Sequence, residues 1–160
     1  MITSDEDLRF IKLAIELGQT GADLNEGGPF GALIVKQGVV IGRGNNKVVS
    51  STDPTAHAEI VAIRDACHYL GSYQLDGCTV YTSCEPCPMC LGAIYWSRPD
   101  RIVYACTRED AASINFDDHF IYQEIMLPPA QRKIPAYQCG RNEGLKLFQH
   151  WRDKDDKVNY

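Results

Sequence analysis

The sequence predicts an α/β fold. Short β-branched runs alternate with apolar segments at helical spacing, in the order strand, helix, strand, helix, strand as far as Ala105. That alternation implies crossover connections and a sheet that is at least partly parallel. A chain of 160 residues can bury one substantial core. No internal repeat or low-complexity stretch marks a second domain, so residues 1–160 are read as a single domain.

Ser4 is placed to cap the first helix, with Asp5, Glu6 and Asp7 in the first turn, where the helix dipole favours acids. Leu8, Ile11, Ala14 and Ile15 continue at helical spacing, and Gly18 and Gly21 are expected to end the helix. Gly27-Gly28-Pro29 breaks the chain. Phe30 to Val35 then reads as a strand that returns as Val39 to Ile41 across a Gln37-Gly38 turn, and Asn45-Asn46 ends the second strand. Thr52 or Asp53 would cap the next helix, with Pro54 at its first position. That helix runs through Ile60, Val61, Ile63 and Ala66 to about Tyr69, with Gly71 beyond, and its apolar faces predict deep burial.

Cys78 to Thr82 is a third strand. Cys87 caps a helix that begins at Pro88 and packs through Leu91, Ile94 and Trp96, the last expected in the core. Pro99-Asp100 turns into a strand from Arg101 to Ala105. Beyond Thr107 the pattern is less regular: a loop at Phe116-Asp117-Asp118, a short helix from Ile121 to Met126, and a last helix around Leu145, Phe148 and Trp151. The charged tail from Asp153 is expected to fray.

Composition excludes some classes. The net charge of −5, with no stripe of Lys and Arg, argues against nucleic acid as an obligate partner. No apolar run approaches the roughly 20 residues that span a bilayer, and Met1 to Asp7 lacks a charged-then-apolar leader pattern. A cytoplasmic chain with no membrane partner is therefore expected. Seven cysteines, three of them between Cys84 and Cys90, read as metal chemistry in a reducing compartment and not as a disulfide framework.

The chemistry concentrates in two stretches, Pro54 to Glu59 and Ser83 to Cys90. Cys87 and Cys90 are three apart and share a helix face in a first turn, where free N–H groups and the dipole acidify thiols. His57 adds an imidazole. Three N/S ligands plus a water describe a catalytic zinc, whereas a structural zinc takes four protein ligands. Two thiolates and a neutral imidazole balance the charge of the metal. Glu59, two residues past His57, can converge on the same centre only if that centre lies at a helix start, and it is placed to act as a base and not as a ligand. Cys84 is the competing fourth ligand, which would close the site and make it structural. Cys67, Cys78, Cys106 and Cys139 are read as small buried hydrophobes.

His57-Ala58-Glu59 and Pro86-Cys87-Pro88-Met89-Cys90 resemble the signature of the zinc-dependent base deaminases of the cytidine deaminase-like superfamily. Within it, Gly27 to Ala32, Asn45-Asn46, Asp53 to Glu59, Tyr81 to Trp96, Phe116-Asp117-Asp118 and Tyr160 resemble the bacterial guanine deaminases over nearly the whole chain. The resemblance implies a three-layer α/β/α sandwich with a central mixed sheet, and one zinc ion per subunit held by His57, Cys87 and Cys90. It implies hydrolysis of guanine to xanthine and ammonia in purine salvage or catabolism, with Glu59 moving a proton from water to N3 and then helping to expel ammonia. Asn46 and Asp118 would bond the purine edges, Asp118 would also handle a proton at the leaving amine, and Phe30 would stack on the ring. Tyr160 would close the pocket from a C-terminal segment, 145–160, that is exchanged between the subunits of a homodimer.

The residues by themselves leave alternatives open. Phe30 also suits a core, Asn46 a turn, and Asp117-Asp118 a loop. Guanosine, or adenosine in tRNA, would use the same zinc chemistry. A non-catalytic zinc module would recruit Cys84 as a fourth ligand.

Overall fold

The computed structural model describes residues 4–159. The chain divides into two compact units, one ending at Asp118 and one beginning at His119. The first contains a four-stranded sheet in the order β2-β1-β3-β4, built from β1 (Gly31–Lys36), β2 (Val39–Asn45), β3 (Cys78–Cys84) and β4 (Arg101–Cys106). β1 pairs antiparallel with β2 and with β3, and β3 pairs parallel with β4, so the sheet is mixed. Gln37 and Gly38 both have positive φ, 50° and 76°, which matches the tight turn expected between β1 and β2.

Helix α1 (Asp5–Asp23) covers one face of this sheet. Phe10, Ile11 and Ala14 pack there with Leu33, Val35 and Tyr81. Two helices cover the other face, α3 (Ala58–Leu70) and α4 (Pro88–Ser97), and the residues of alternate parity, Ala32, Ile34 and Val80, point into that layer with Ala58, Ala62, Ala66 and Ile94. The three-layer arrangement with a mixed central sheet is thus present in the first unit. Two short helices that the sequence reading did not anticipate, α2 (Val48–Ser51) and α5 (Arg108–Ser113), complete it. The Thr107-x-x-Asp110 capping box that starts α5 is a readable signal, since each side chain bonds the other residue's N–H.

The glycines expected to end α1 lie inside it. A methyl at Gly18 would sit 2.9 Å from the Gly31 nitrogen, and one at Gly21 would sit 2.2 Å from the Asn45 amide. They are there so that α1 can lie close against the start of β1 and the end of β2, and the helix continues past them to Asp23. α3 begins at Ala58 with His57 as its cap, four residues later than Pro54. The cause is local. The Asp53 carboxylate accepts bonds from the Thr55 N–H (2.8 Å) and hydroxyl (2.7 Å), folding residues 53–57 into a turn of their own. Trp96 is 67% exposed and not core, and Cys106 and Cys139 are exposed, whereas Cys78 is buried as expected.

The second unit contains α6 (His119–Met126), a 3₁₀ turn (Pro129–Gln131) and α7 (Arg141–Asp153). Within it the Glu124 carboxylate accepts the Lys133 N–H at 2.6 Å, and the Arg132 guanidinium donates to the Leu127 carbonyl at 3.2 Å. Gly140, with φ of 69°, caps the start of α7. No helix among the described residues is long and apolar enough to cross a membrane.

One buried ionic cluster ties α1 to the sheet. The Asp7 carboxylate accepts from the Tyr81 hydroxyl at 2.7 Å, from the Ser4 N–H at 3.0 Å and from the Arg101 guanidinium. These donors, the Tyr81 hydroxyl foremost, hold the Asp7 carboxyl down at about 2. A carboxyl whose folded pKa lies below its unfolded one stabilises the fold above the unfolded value, and that contribution disappears as pH falls through the folded value. Asp7→Asn should therefore cost about 1.5–3 kcal/mol at pH 7. In urea titrations the gap between variant and wild type should stay constant above pH ~4 and close as pH falls toward ~2. A gap that does not change with pH would exclude ionisation of Asp7 as its source.

Candidate active site

Helix α3 and helix α4 both start at one place. The N-cap of α3 is His57 and the N-cap of α4 is Cys87, so each donor sits where the chain turns into a helix. Pro88 at the first position of α4 matches a backbone that needs no N–H there. One turn of α4 brings Cys90 to the same face, where it is fully buried. His57, Cys87 and Cys90 hold their donor atoms within 4.8 Å of one another, and among the described residues they are the one such group.

The dimensions suit a tetrahedral ion. The Cys87 sulfur lies 3.5 Å from His57 Nδ1. Zinc bonds of about 2.3 Å to sulfur and about 2.0–2.1 Å to nitrogen, at a tetrahedral angle, place those two atoms roughly 3.5 Å apart. Two sulfurs and one imidazole leave the fourth position open. Cys84 does not close it. Its buried thiol donates to the Thr107 carbonyl at 3.3 Å, and burial pushes that thiol up to about 12, far from a thiolate. The closed, four-ligand arrangement considered for a structural zinc is therefore absent from the described residues.

Charge is arranged around the donor set. A hydrogen bond from the Cys90 thiol, helped by His57, brings the Cys87 thiol down to about 4, whereas the same bond and burial raise Cys90. His57 is raised by its bond to the Cys87 sulfur. The three groups thus share protons that a divalent cation would replace. Glu59 is 6% exposed in the first turn of α3, and burial raises its carboxyl above the usual range. The Thr82 hydroxyl lies 3.5 Å from Glu59 Oε1. The Asp118 carboxyl is also raised, by burial and by the negative charge of the Cys87 sulfur.

Phe30 and Asn46 meet at the adjoining end of β1 and β2. The Asn46 N–H donates to the Phe30 carbonyl at 2.9 Å, and the buried Asn46 Oδ1 accepts the Val48 N–H at 3.1 Å. Asn46 therefore serves the turn that follows β2. Phe30 packs edge-on against Phe116, with ring centroids 4.9 Å apart at 90°. Tyr160 lies outside the described residues.

Gly27 and Gly28 do more than break the chain. A methyl at Gly27 would sit 2.1 Å from Asn46 Oδ1, and one at Gly28 would sit 2.8–2.9 Å from the Phe116 and Phe30 rings. The absence of side chains at this pair is what admits Asn46, Phe30 and Phe116. From the sequence Thr82 reads only as the end of a strand, and with Thr79 and Ser83 also polar in β3 no local signal sets it apart.

Residues 4–106 match the family model of the cytidine and deoxycytidylate deaminase zinc-binding region. A guanine deaminase of Bacillus subtilis (strain 168) is 56% identical over 151 residues, covering 94% of this chain and 97% of that protein. A crystal structure of guanine deaminase from Bacillus subtilis superposes with a TM-score of 0.94 at 54% identity, covering 99% of each chain. A tRNA-specific adenosine deaminase of Haemophilus influenzae is 37% identical over 160 residues, covering 98% of this chain and 91% of that protein.

The thiol chemistry is directly measurable. In the metal-free chain at pH 6, iodoacetamide should label Cys87 before Cys84 or Cys90, because only Cys87 is then mostly thiolate. Zinc should abolish that labelling. Equal labelling of the three, read by peptide mass spectrometry, would contradict the acidified Cys87.

Proposed function

The chain belongs to the cytidine and deoxycytidylate deaminase zinc-binding family, and we propose that it hydrolyses guanine to xanthine and ammonia. The observation that carries this reading is the likeness to the Bacillus subtilis guanine deaminase, which runs over nearly the whole chain and well past the zinc-binding region. His57, Cys87 and Cys90 would hold one zinc ion per subunit, their donor spacing being that of a three-ligand site. When bound, zinc supplies a Lewis acid that makes water a competent nucleophile near neutral pH.

The protein's own groups do the rest. Guanine is flat, with mixed donors and acceptors along its edges. Phe30, braced by Phe116, offers an aromatic face for the ring, and Asn46 and Asp118 offer edge partners. Glu59 takes a proton from the attacking water and delivers it to N3. The proton left on the new C2 hydroxyl then passes by way of Glu59 to the amino group at C2, with Asp118 as the partner of that amine, and as the C2–N bond breaks the C2 carbonyl forms and ammonia leaves. Burial raises both carboxyls, which suits groups that must gain and lose a proton near neutral pH.

The C-terminal segment 145–160, ending in Tyr160, would close the site of a second subunit in a homodimer. The support for this is α7, which buries none of its residues and carries Leu145, Phe148 and Trp151 at a spacing that shares one face. A small purine base as the substrate, a cytoplasmic location, and no nucleic-acid or membrane partner complete the reading. The likeness to a tRNA-specific adenosine deaminase keeps tRNA as the contrasting substrate, against which the net charge of −5 weighs.

The zinc-loaded protein, offered guanine, guanosine, adenine, cytosine and cytidine separately, should release ammonia from guanine. Release from guanosine would mean a pocket open enough for ribose, and inosine formation in tRNA would favour the contrasting reading. Glu59→Gln should retain zinc by atomic absorption and lose at least about 100-fold in kcat. Full activity in that variant would sink the proposed proton path.

A further inference from the structure

One buried polar group beside the site has no task in the mechanism above. Thr82 lies on the central strand β3, between Ala32 of β1 and Tyr104 of β4, and is 1% exposed. Cys78 and Val80, of the same parity on β3, point into the layer occupied by α3 and α4. Valine would fill the same volume there without a hydroxyl to satisfy. A hydroxyl withdrawn from water is costly unless it is bonded, and buried polar groups in this fold are partnered. The side-chain partner of Thr82 is Glu59, whose Oε1 lies 3.5 Å from the threonine oxygen.

We propose that Thr82 is a positioning residue for Glu59: its hydroxyl donates to Oε1 and holds the carboxylate where it can carry the proton. This rests on the deaminase reading above. Glutamate has three side-chain torsions, and a proton carrier displaced by about 1 Å can lose roughly 100-fold in rate. β3 is a firm support, since it is hydrogen-bonded on both sides and buried at every position except Thr79. Engaging Oε1 leaves Oε2 as the oxygen that takes the proton from water and passes it on. The 3.5 Å separation is long for such a bond, and contacts of this kind tighten when substrate fills the site.

The test compares zinc-loaded wild type, Thr82→Val and Thr82→Ser. In Thr82→Val, kcat on guanine should fall roughly 10- to 100-fold while KM stays within about 2-fold, because the lost bond serves the proton step and not substrate affinity. Zinc content and melting temperature should match wild type. Thr82→Ser, which keeps the hydroxyl, should recover kcat to within about 3-fold of wild type. Independently of turnover, the carboxyl ¹³C resonance of Glu59, assigned with Glu59→Gln, should shift in Thr82→Val and not in Thr82→Ser. The proposal is overturned if that resonance is unchanged in Thr82→Val, if Thr82→Val keeps full kcat, or if Thr82→Ser is as slow as Thr82→Val. Failure of the deaminase reading would look different: wild type itself would leave guanine intact, and the resonance would still report the contact.

Discussion

The site depends on how closely α3 lies against β2. A methyl at Gly42 would sit 2.5 Å from the Ala62 carbonyl oxygen, and one at Gly44 would sit 2.2 Å from that of Ala58. Ala58, Ala62 and Ala66, spaced four apart, face this contact and are fully buried. Helix backbone thus rests almost directly on strand backbone, with no side chain thick enough to slide. His57 precedes that seat by one residue and Glu59 follows Ala58, so the seat sets the height of both. A tetrahedral donor set tolerates only small errors in distance, which is a reason for two glycines in a strand they would otherwise weaken.

β3 links the two sides of the sheet. Toward α1 it presents Tyr81, whose hydroxyl bonds Asp7, and toward α3 it presents Thr82 beneath Glu59. It then runs through Cys84 into the turn that ends at Cys87. A single strand, paired on both edges, therefore carries the anchor for α1, the contact to the proton carrier, and the approach to two sulfur donors. Electrostatics favour the same arrangement. Two helix N-termini direct their positive ends at a cluster that contains two thiols and a carboxylate. They favour thiolates over thiols, and thiolates in turn favour a divalent cation.

Much of the frame was legible because its signals are local. The Ser4 cap with acids behind it, Pro88 after Cys87, Gly71 after α3 and the Gln37-Gly38 turn each follow from backbone chemistry within a few residues. The misreadings share a cause. Gly18 and Gly21 have the composition of a helix stop, and only the nearness of β1 and Asn45 shows that they serve contact instead. Pro54 suits a helix start, but the Asp53–Thr55 turn competes for the same backbone groups and wins. Trp96 sits at a spacing that suggested a core face, yet it points away from the sheet layer, as the burial of Ile94 and Ser97 on the other side of α4 requires.

The sequence by itself determined the donor set, its likeness to a deaminase, the helix cap at Cys87, and the α/β order of the elements. These are matters of residue type and short spacing, which survive without knowledge of distant neighbours. Only the tertiary structure decided that Cys84 turns to the Thr107 carbonyl and leaves the site open, that Gly27 and Gly28 make room for Asn46, Phe30 and Phe116, and that Thr82 lies under Glu59. Apart from Gly28 and its near neighbour Phe30, these are contacts between residues 19 to 88 positions apart in the chain. No local periodicity encodes such a contact, because it arises only when separate elements compete for the same few ångströms of buried space.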